Sequence, residues 1–224
     1  MHIPDGFLDL KICSITYIIA IIFWFFAFKR AKETLTDKQI PLMAVLTAMF
    51  FAAQMMNYPI IGGTTAHLLG SPILAITLGP YGGLISMTII LLIQAFFFGD
   101  GGLTTLGANV LNMGIIGVFI PYLIWVAFPK NKKGILIGAF LGAFIGDVLA
   151  AISAGFELGF STKFLYGVSI SVPAMGLHHS IIGVGEGIVT SIMILILIKY
   201  RPDLLNLPKI SPKWLTKFEL VKEV

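Results

Sequence analysis

Residues 71–98 read SPILAITLGPYGGLISMTIILLIQAFFF. Whether this stretch is one broken membrane span or two separate ones decides the topology of the chain. It is apolar throughout except for LGPYGG, 78–83, where proline removes a backbone donor and the glycines weaken the helical ladder. One apolar arm covers 71–78, the other 82–98. The remaining apolar runs are 12–28, 41–58, 105–128, 134–154 and 180–199, against the ~20 helical residues that a bilayer core requires. The 224-residue chain is 57% hydrophobic and 12% charged, where a soluble domain carries about 25% charged residues. The period-two alternation of a transmembrane barrel is absent. The expected fold is all-α and polytopic.

The basic residues choose between six spans and seven. Of fifteen Lys and Arg, four lie at 29–38, three at 130–133 and six at 199–222; only Lys11 and Lys163 fall elsewhere. Clusters of this kind belong in the cytoplasm. Seven transmembrane helices with the N-terminus outside and the C-terminus cytoplasmic put all three clusters inside, whereas six would expose the cluster at 130–133. The expectation is one transmembrane domain over 1–200 and a cytoplasmic or interfacial tail over 201–224, in the cell membrane. The first ten residues hold two aspartates and no Lys or Arg, unlike the basic start of a secretory signal. Cys13 is the lone cysteine, which excludes an intrachain disulfide.

This topology gathers the polar residues toward the outer side. All four histidines fall there: His2, His67, His178 and His179. Gln54, Asn57, Gln94, Asn109 and Asn112 lie in the outer parts of their spans, and Asp147 and Glu186 sit roughly 10 Å below the outer surface at ~1.5 Å per residue. Acids at that depth mark a pathway or a paired site, although a structural hydrogen-bond network explains any one of them. Together they outline a pocket that opens outward.

MHIPDGFL, 1–8, adds a chemical possibility. Methionine before histidine is normally retained, so the Met1 amine, the deprotonated His2 amide and His2 Nδ1 can chelate one cation through unstrained five- and six-membered rings. His67, in the glycine-bearing loop IIGGTTAHLLG, 60–70, is the candidate for the fourth corner. Square-planar nitrogen ligation points to Ni(II) or Cu(II); Co(II) is the neighbour of nickel, zinc prefers a tetrahedron, and calcium and magnesium want oxygen. Amide and amine protons leave on binding, so affinity should rise with pH. His178-His179 is a rival pair, but adjacent helical residues diverge by about 100°, which favours a helix-cap or supporting role. Asp5 is placed to offset charge, and Gln54, Asn57, Thr64, Thr65, Asn109 and Glu186 to orient the ligands.

The opening MHIPDGFL, AAQMMNYPIIGGTTAHLLG (52–70), LGPYGG (78–83) and FFFGDGGLTTLGANVLNM (96–113) resemble, in the same order and over nearly the whole chain, the NikM/CbiM family of substrate-binding (S) components of energy-coupling-factor (ECF) transporters for nickel and cobalt. The resemblance implies an S-component fold with an extra N-terminal helix, and a cargo held by Met1, His2 and His67. It leaves nickel against cobalt open; the planar nitrogen set favours nickel, and a cobalt-specific component feeding cobalamin synthesis is the alternative. It also implies partners: a transmembrane T component, cytoplasmic ATPase subunits and a small membrane companion. No nucleic acid is implied.

The chain contains no GxxxxGK[ST] loop, so ATP hydrolysis is expected in those partners. HExxH and GxSxG are also absent, and an intramembrane enzyme is not expected. A secondary transporter or channel would need polar side chains across the inner halves of the spans, which carry almost none; a stand-alone metal receptor stays open. GDGGLTTLGAN, 99–109, reads as an outer lid. Gly134, Gly138, Gly142, Gly146 and Ala150 recur every four residues, a stripe that permits close helix approach, either to a partner subunit or within this chain.

Overall fold

The computed structural model describes residues 1–205 except Lys38 and Lys130. The fold begins with an insertion. Residues 1–8 precede any helix, yet Met1 and Ile3 are fully buried and Leu8 nearly so. Helix α1 (Leu10–Thr34) follows, capped by Asp9, whose carboxylate accepts from Ile12 N at 3.1 Å and satisfies one of the free donors of the first turn. Apolar residues cover both faces of α1, but the buried ones are small: Cys13, Thr16, Ala20, Ala27 and Ala31. Ile18 and Phe25 stay more than half exposed, the outward apolar face expected where lipid is the solvent. Gly107 sets how closely α1 can approach, since a Cβ there would lie 2.6 Å from Tyr17 N.

Helix α2 (Gln39–Gln54) leads into a short antiparallel hairpin, β1 (Tyr58–Pro59) with β2 (Thr65–Ala66). Helix α3 (Ser71–Ile93) contains the residue that the sequence singled out: Gly79 is non-helical at φ 75° and ψ 171°, followed by Pro80. The chain reverses there. A Cβ on Gly83 would lie 3.2 Å from Ala75 N, whereas eight residues of unbroken helix span about 12 Å. The arms 71–78 and 80–93 therefore pack against each other. α3 ends in a π-helical turn, Gln94–Phe98. α4 (Leu106–Asn109), a π-helical stretch (Val110–Ile116) and α5 (Gly117–Ala127) run on as one helix. α6 (Lys132–Phe160) and α7 (Val168–Tyr200) form the most extensive helix pair.

Among the described residues, five helical stretches are long and apolar enough to cross a membrane, one of them being the folded Ser71–Phe98, and Gln39–Gln54 is a shorter apolar helix. One sequence expectation needs correction, and one open choice is decided. α7 starts at Val168, twelve residues before the apolar run at 180, because a helix continues wherever its ladder is intact. His178 and His179 therefore lie within α7 and cap nothing. The small-residue stripe of α6 is not a free face: Gly134 meets Pro129, Gly138 meets Phe128, and Gly142 and Gly146 meet Pro121, with Ala150 also buried. It packs the chain against itself. Most of the expected tail, residues 206–224, lies outside the described residues; before it, Arg201 pairs with Asp203 at 2.9 Å.

Replacing Gly107 by valine is expected to lower stability by about 1–3 kcal/mol, the usual cost of overpacking a tight contact. Gly185→Ala, where an added Cβ meets nothing within 4 Å, should be neutral or stabilising through helix propensity. Thermal unfolding in detergent micelles checks both.

Candidate metal centre

The inserted N-terminus is held by its backbone. Ile3 N donates to Asn109 Oδ1 at 2.8 Å, and Ile3 O accepts from Asn109 Nδ2 at 3.0 Å and Thr105 Oγ1 at 2.5 Å. His2 N donates to Thr65 Oγ1 at 3.0 Å, and Thr64 Oγ1 donates to His2 O. Asn109 lies in the first turn of the 106–127 helix and Thr105 is its N-cap residue, whereas Thr64 and Thr65 belong to the β-hairpin. The N–H and C=O of both His2 and Ile3 thus have partners, as burial requires. Asp5 is anchored separately: it accepts from Thr104 N at 2.7 Å and Leu103 N at 3.1 Å, pinning the 99–105 loop against the inserted segment.

This insertion stacks the His2 ring on that of His67, centroids 4.6 Å apart and planes 26° from parallel. Both rings are buried, and His2 Nδ1 and His67 Nε2 have no hydrogen-bond partner. A relay of amides determines which nitrogen of His2 carries the proton. The Leu69 carbonyl can only accept, and it takes Gln54 Nε2 at 2.6 Å. Gln54 Oε1 then accepts Gln94 Nε2 at 3.1 Å, and Gln94 Oε1 faces His2 Nε2 at 2.8 Å. The imidazole proton belongs on Nε2, which leaves the Nδ1 lone pair free. In the same way His67 Nδ1 lies 2.9 Å from Leu68 O and must donate there, so the lone pair sits on Nε2.

The acids have distinct positions. Glu186 of α7 accepts from Leu69 N and Gly70 N, both at 2.7 Å, clamping the segment between His67 and α3 at the positive end of that helix. Asp147 of α6 is fully buried with neither oxygen hydrogen-bonded, and its charge acts on the Met1 amine. His179 is buried, its Nδ1 on Met175 O at 3.0 Å and its Nε2 without a partner; His178 bonds Ala174 O at 2.8 Å. Asn57 donates to Asp100 Oδ2 at 2.9 Å, and Asp100 Oδ1 stands 3.4 Å from His2 Nδ1. From sequence Gln94 appeared only among the polar residues outlining the pocket, with no role toward the ligands, and Asp100 only within the lid segment. The π-helical turn Gln94–Phe98, a frequent companion of functional sites, places both.

The geometry thus brings Met1, His2 and His67 together, with Thr64, Thr65, Gln54 and Asn109 around them. Among the described residues, no three His, Cys, Asp or Glu side chains are grouped to hold a metal; a cation here needs the main-chain nitrogens of residues 1 and 2 as well. The donors are already prepared. Burial pushes the Met1 amine down to about 4, against the opposing charges of Asp147 and Asp100. Burial and the nearby amine take His2 down to about 3 and His67 well below its ordinary range. Burial raises Asp100, with the amine and Asn57 opposing, whereas Asp5 is lowered by its Thr104 and Leu103 bonds despite its partial burial. Near neutrality the amine and imidazoles hold lone pairs, so the amide proton is the one left to leave.

These shifts link the site to pH. The unfolded amine and imidazoles bind protons below about pH 8 and 6.5, while the folded ones stay neutral until about 4 and 3. For these groups the unfolded state binds more protons in that window, so their contribution to stability is lost as the pH is lowered through it. Removing one of them removes its share: in chelator, the midpoint of thermal unfolding of His67→Ala is expected to depend less on pH between about 8 and 4.5 than that of the wild type.

Residues 2–204 match the family described as the CbiM cobalt uptake substrate-specific transmembrane region. The chain is 42% identical over 206 residues to a putative fused nickel transport protein NikMN of Archaeoglobus fulgidus, covering 92% of this chain and 68% of that one. It is also 42% identical to a putative metal transport protein of Methanocaldococcus jannaschii, covering 91% and 94%. It is 33% identical to a putative cobalt transport protein CbiM of Methanosarcina barkeri, covering 62% and 60%. A crystal structure of a transition metal transporter superposes with a TM-score of 0.85 at 35% identity, covering 89% of this chain and 93% of that one. With its apolar helices and a match that spans nearly its whole length, the chain is a multi-pass membrane protein and belongs to the CbiM family.

Proposed function

We propose that this chain is the S component of an ECF importer and captures Ni(II) at its outer face through the Met1 amine, the His2 amide and Nδ1, and His67 Nε2. The observation that carries the reading is the pair of buried lone-pair edges, His2 Nδ1 and His67 Nε2, beside an inserted amino terminus. A buried polar atom without a partner is costly, and a cation that accepts both lone pairs removes that cost. The amine joins them, and the amide does so once its proton is lost. Four nitrogens in a plane suit Ni(II). The names of the nickel relatives accord with this cargo. Co(II) is the second reading, favoured by the description of the family and by the cobalt transport relatives.

Counting the two arms of α3 separately accords with a seven-helix reading, and the basic clusters of the sequence favour an amino terminus outside. The chain covers about two thirds of the fused nickel relatives, whose extra length accords with a companion subunit working beside it. A T component and ATPase subunits supply the energy, and release inside follows when docking disturbs the nitrogen set. The cobalt-feeding and receptor alternatives differ in cargo and in dependence on those partners, which uptake assays with and without the ATPases separate.

Two residues placed before Met1 (Gly-Ser) convert the amine to a peptide and have no room in a fully buried position. That form is expected to lose tight Ni(II) binding and the yellow, diamagnetic signature of a planar complex, measured by calorimetry and visible spectroscopy. His67→Ala, which keeps the native start, should lose the same signature while retaining its helical circular dichroism. Equal binding by the extended form sinks the amino-terminal chelate. Gln94→Leu breaks the amide relay, frees the tautomer of His2, and is expected to weaken Ni(II) by about 10–100-fold, the usual effect of removing a group that orients a ligand.

A further inference from the structure

Asp100 sits where the buried nitrogens meet the outside. Its Oδ1 stands 3.4 Å from His2 Nδ1, and its side chain is 15% exposed where that of His2 is 1% exposed. It is the carboxylate of this cluster that reaches both the site and solvent. The amide relay through Gln54 and Gln94 puts the imidazole proton on Nε2, so the atom facing Oδ1 is a lone pair. Two electron-rich atoms facing each other repel unless something positive lies between them. Two donors each ~2.1 Å from one cation and at a right angle stand about 3.0 Å apart, only slightly closer than the separation here. Asn57 holds the other oxygen, Oδ2, at 2.9 Å and leaves Oδ1 available. Gly99 and Gly101, at φ 64° and 87°, flank the aspartate in conformations that other residues rarely adopt. A Cβ on Gly101 would lie 3.1 Å from Asn109 Nδ2 and 3.5 Å from His2 Cδ2, so the bare backbone brings the carboxylate this close.

We propose that Asp100 is the capture ligand: its Oδ1 takes the hydrated divalent cation at the mouth of the site and seats it against His2 Nδ1, in line with the nitrogen set. This role rests on the cargo site proposed above. In the first step one coordinated water leaves as Oδ1 binds. Further waters leave as the imidazoles and amine bind, and the amide proton passes to bulk water as its nitrogen joins. An oxygen ligand at the opening suits an ion that arrives surrounded by water, and its negative charge draws cations from solution. The carboxylate thus acts on the rate of capture more than on the final complex.

The test is stopped-flow absorbance of the planar nickel chromophore, with wild-type protein, Asp100→Asn and Asp100→Glu, all with the native start, at two ionic strengths. Asp100→Asn keeps the size of the side chain and is expected to slow association by at least about tenfold and to flatten its salt dependence, while the final spectrum stays that of the wild type. Asp100→Glu keeps the charge and an oxygen ligand and should recover most of the rate. Association of Asp100→Asn at the wild-type rate and salt slope overturns the role of Asp100 and leaves the nitrogen site standing. An equal loss in Asp100→Glu assigns the effect to loop structure and overturns it too. Failure of wild-type protein to form the planar complex overturns the nitrogen site, and this role with it.

Discussion

Burial of a chain end is the constraint on which the rest of this structure depends. An amino terminus normally stays in water, because its ammonium is costly to desolvate and its first peptides lack partners. Here residues 1–3 lie in the core, and their peptide groups are bonded by Asn109, Thr105, Thr64 and Thr65. Those four side chains come from two distant parts of the chain, the hairpin after α2 and the start of the 106–127 helix with its N-cap residue Thr105. The insertion therefore ties these two segments together. It also leaves the amine neutral near physiological pH, so the cost of desolvating a charge is avoided and a donor is created.

The polar groups around this terminus form a directed network. Glu186 and Gln54 both grip the Leu69–Gly70 segment, one through its amide hydrogens and the other through the Leu69 carbonyl. From that carbonyl the relay runs through two glutamines to His2 and ends by assigning a tautomer. Interior polar networks are costly when any member is unsatisfied. This one is satisfied except at His2 Nδ1, His67 Nε2, and the nearby Asp147 and His179 atoms. Each of these four groups interacts electrostatically with the Met1 amine, which is the arrangement expected of a site that completes its bonding with a cargo ion.

Much of the architecture was legible in the sequence because bilayer physics acts on composition. Apolar runs and the break at LGPYGG report on burial and backbone freedom, and these are properties of short stretches. The reversal at Gly79 is where that reading met the structure best. It failed where the signal was hydropathy alone: α7 runs twelve residues beyond its apolar segment, since polar residues such as Ser169, His178 and His179 interrupt an apolar run without breaking a helix. The stripe Gly134 to Ala150 showed that something packs closely on α6, and only the neighbouring helix showed that the partner is residues 121–129 of the same chain.

The sequence by itself determined that this chain lies in a membrane and where its helices break; each follows from local chemistry, and the candidate ligands Met1, His2 and His67 were all visible. What only the tertiary structure decided is how those ligands are prepared. The buried amine, the stacked imidazoles, the tautomer set through Gln54 and Gln94, and the approach of Asp100 to His2 join residues up to 98 positions apart. No spacing rule relates them. Their geometry follows from a π-helical turn, a two-stranded hairpin and a hydrogen-bond chain that close only when the helices have packed.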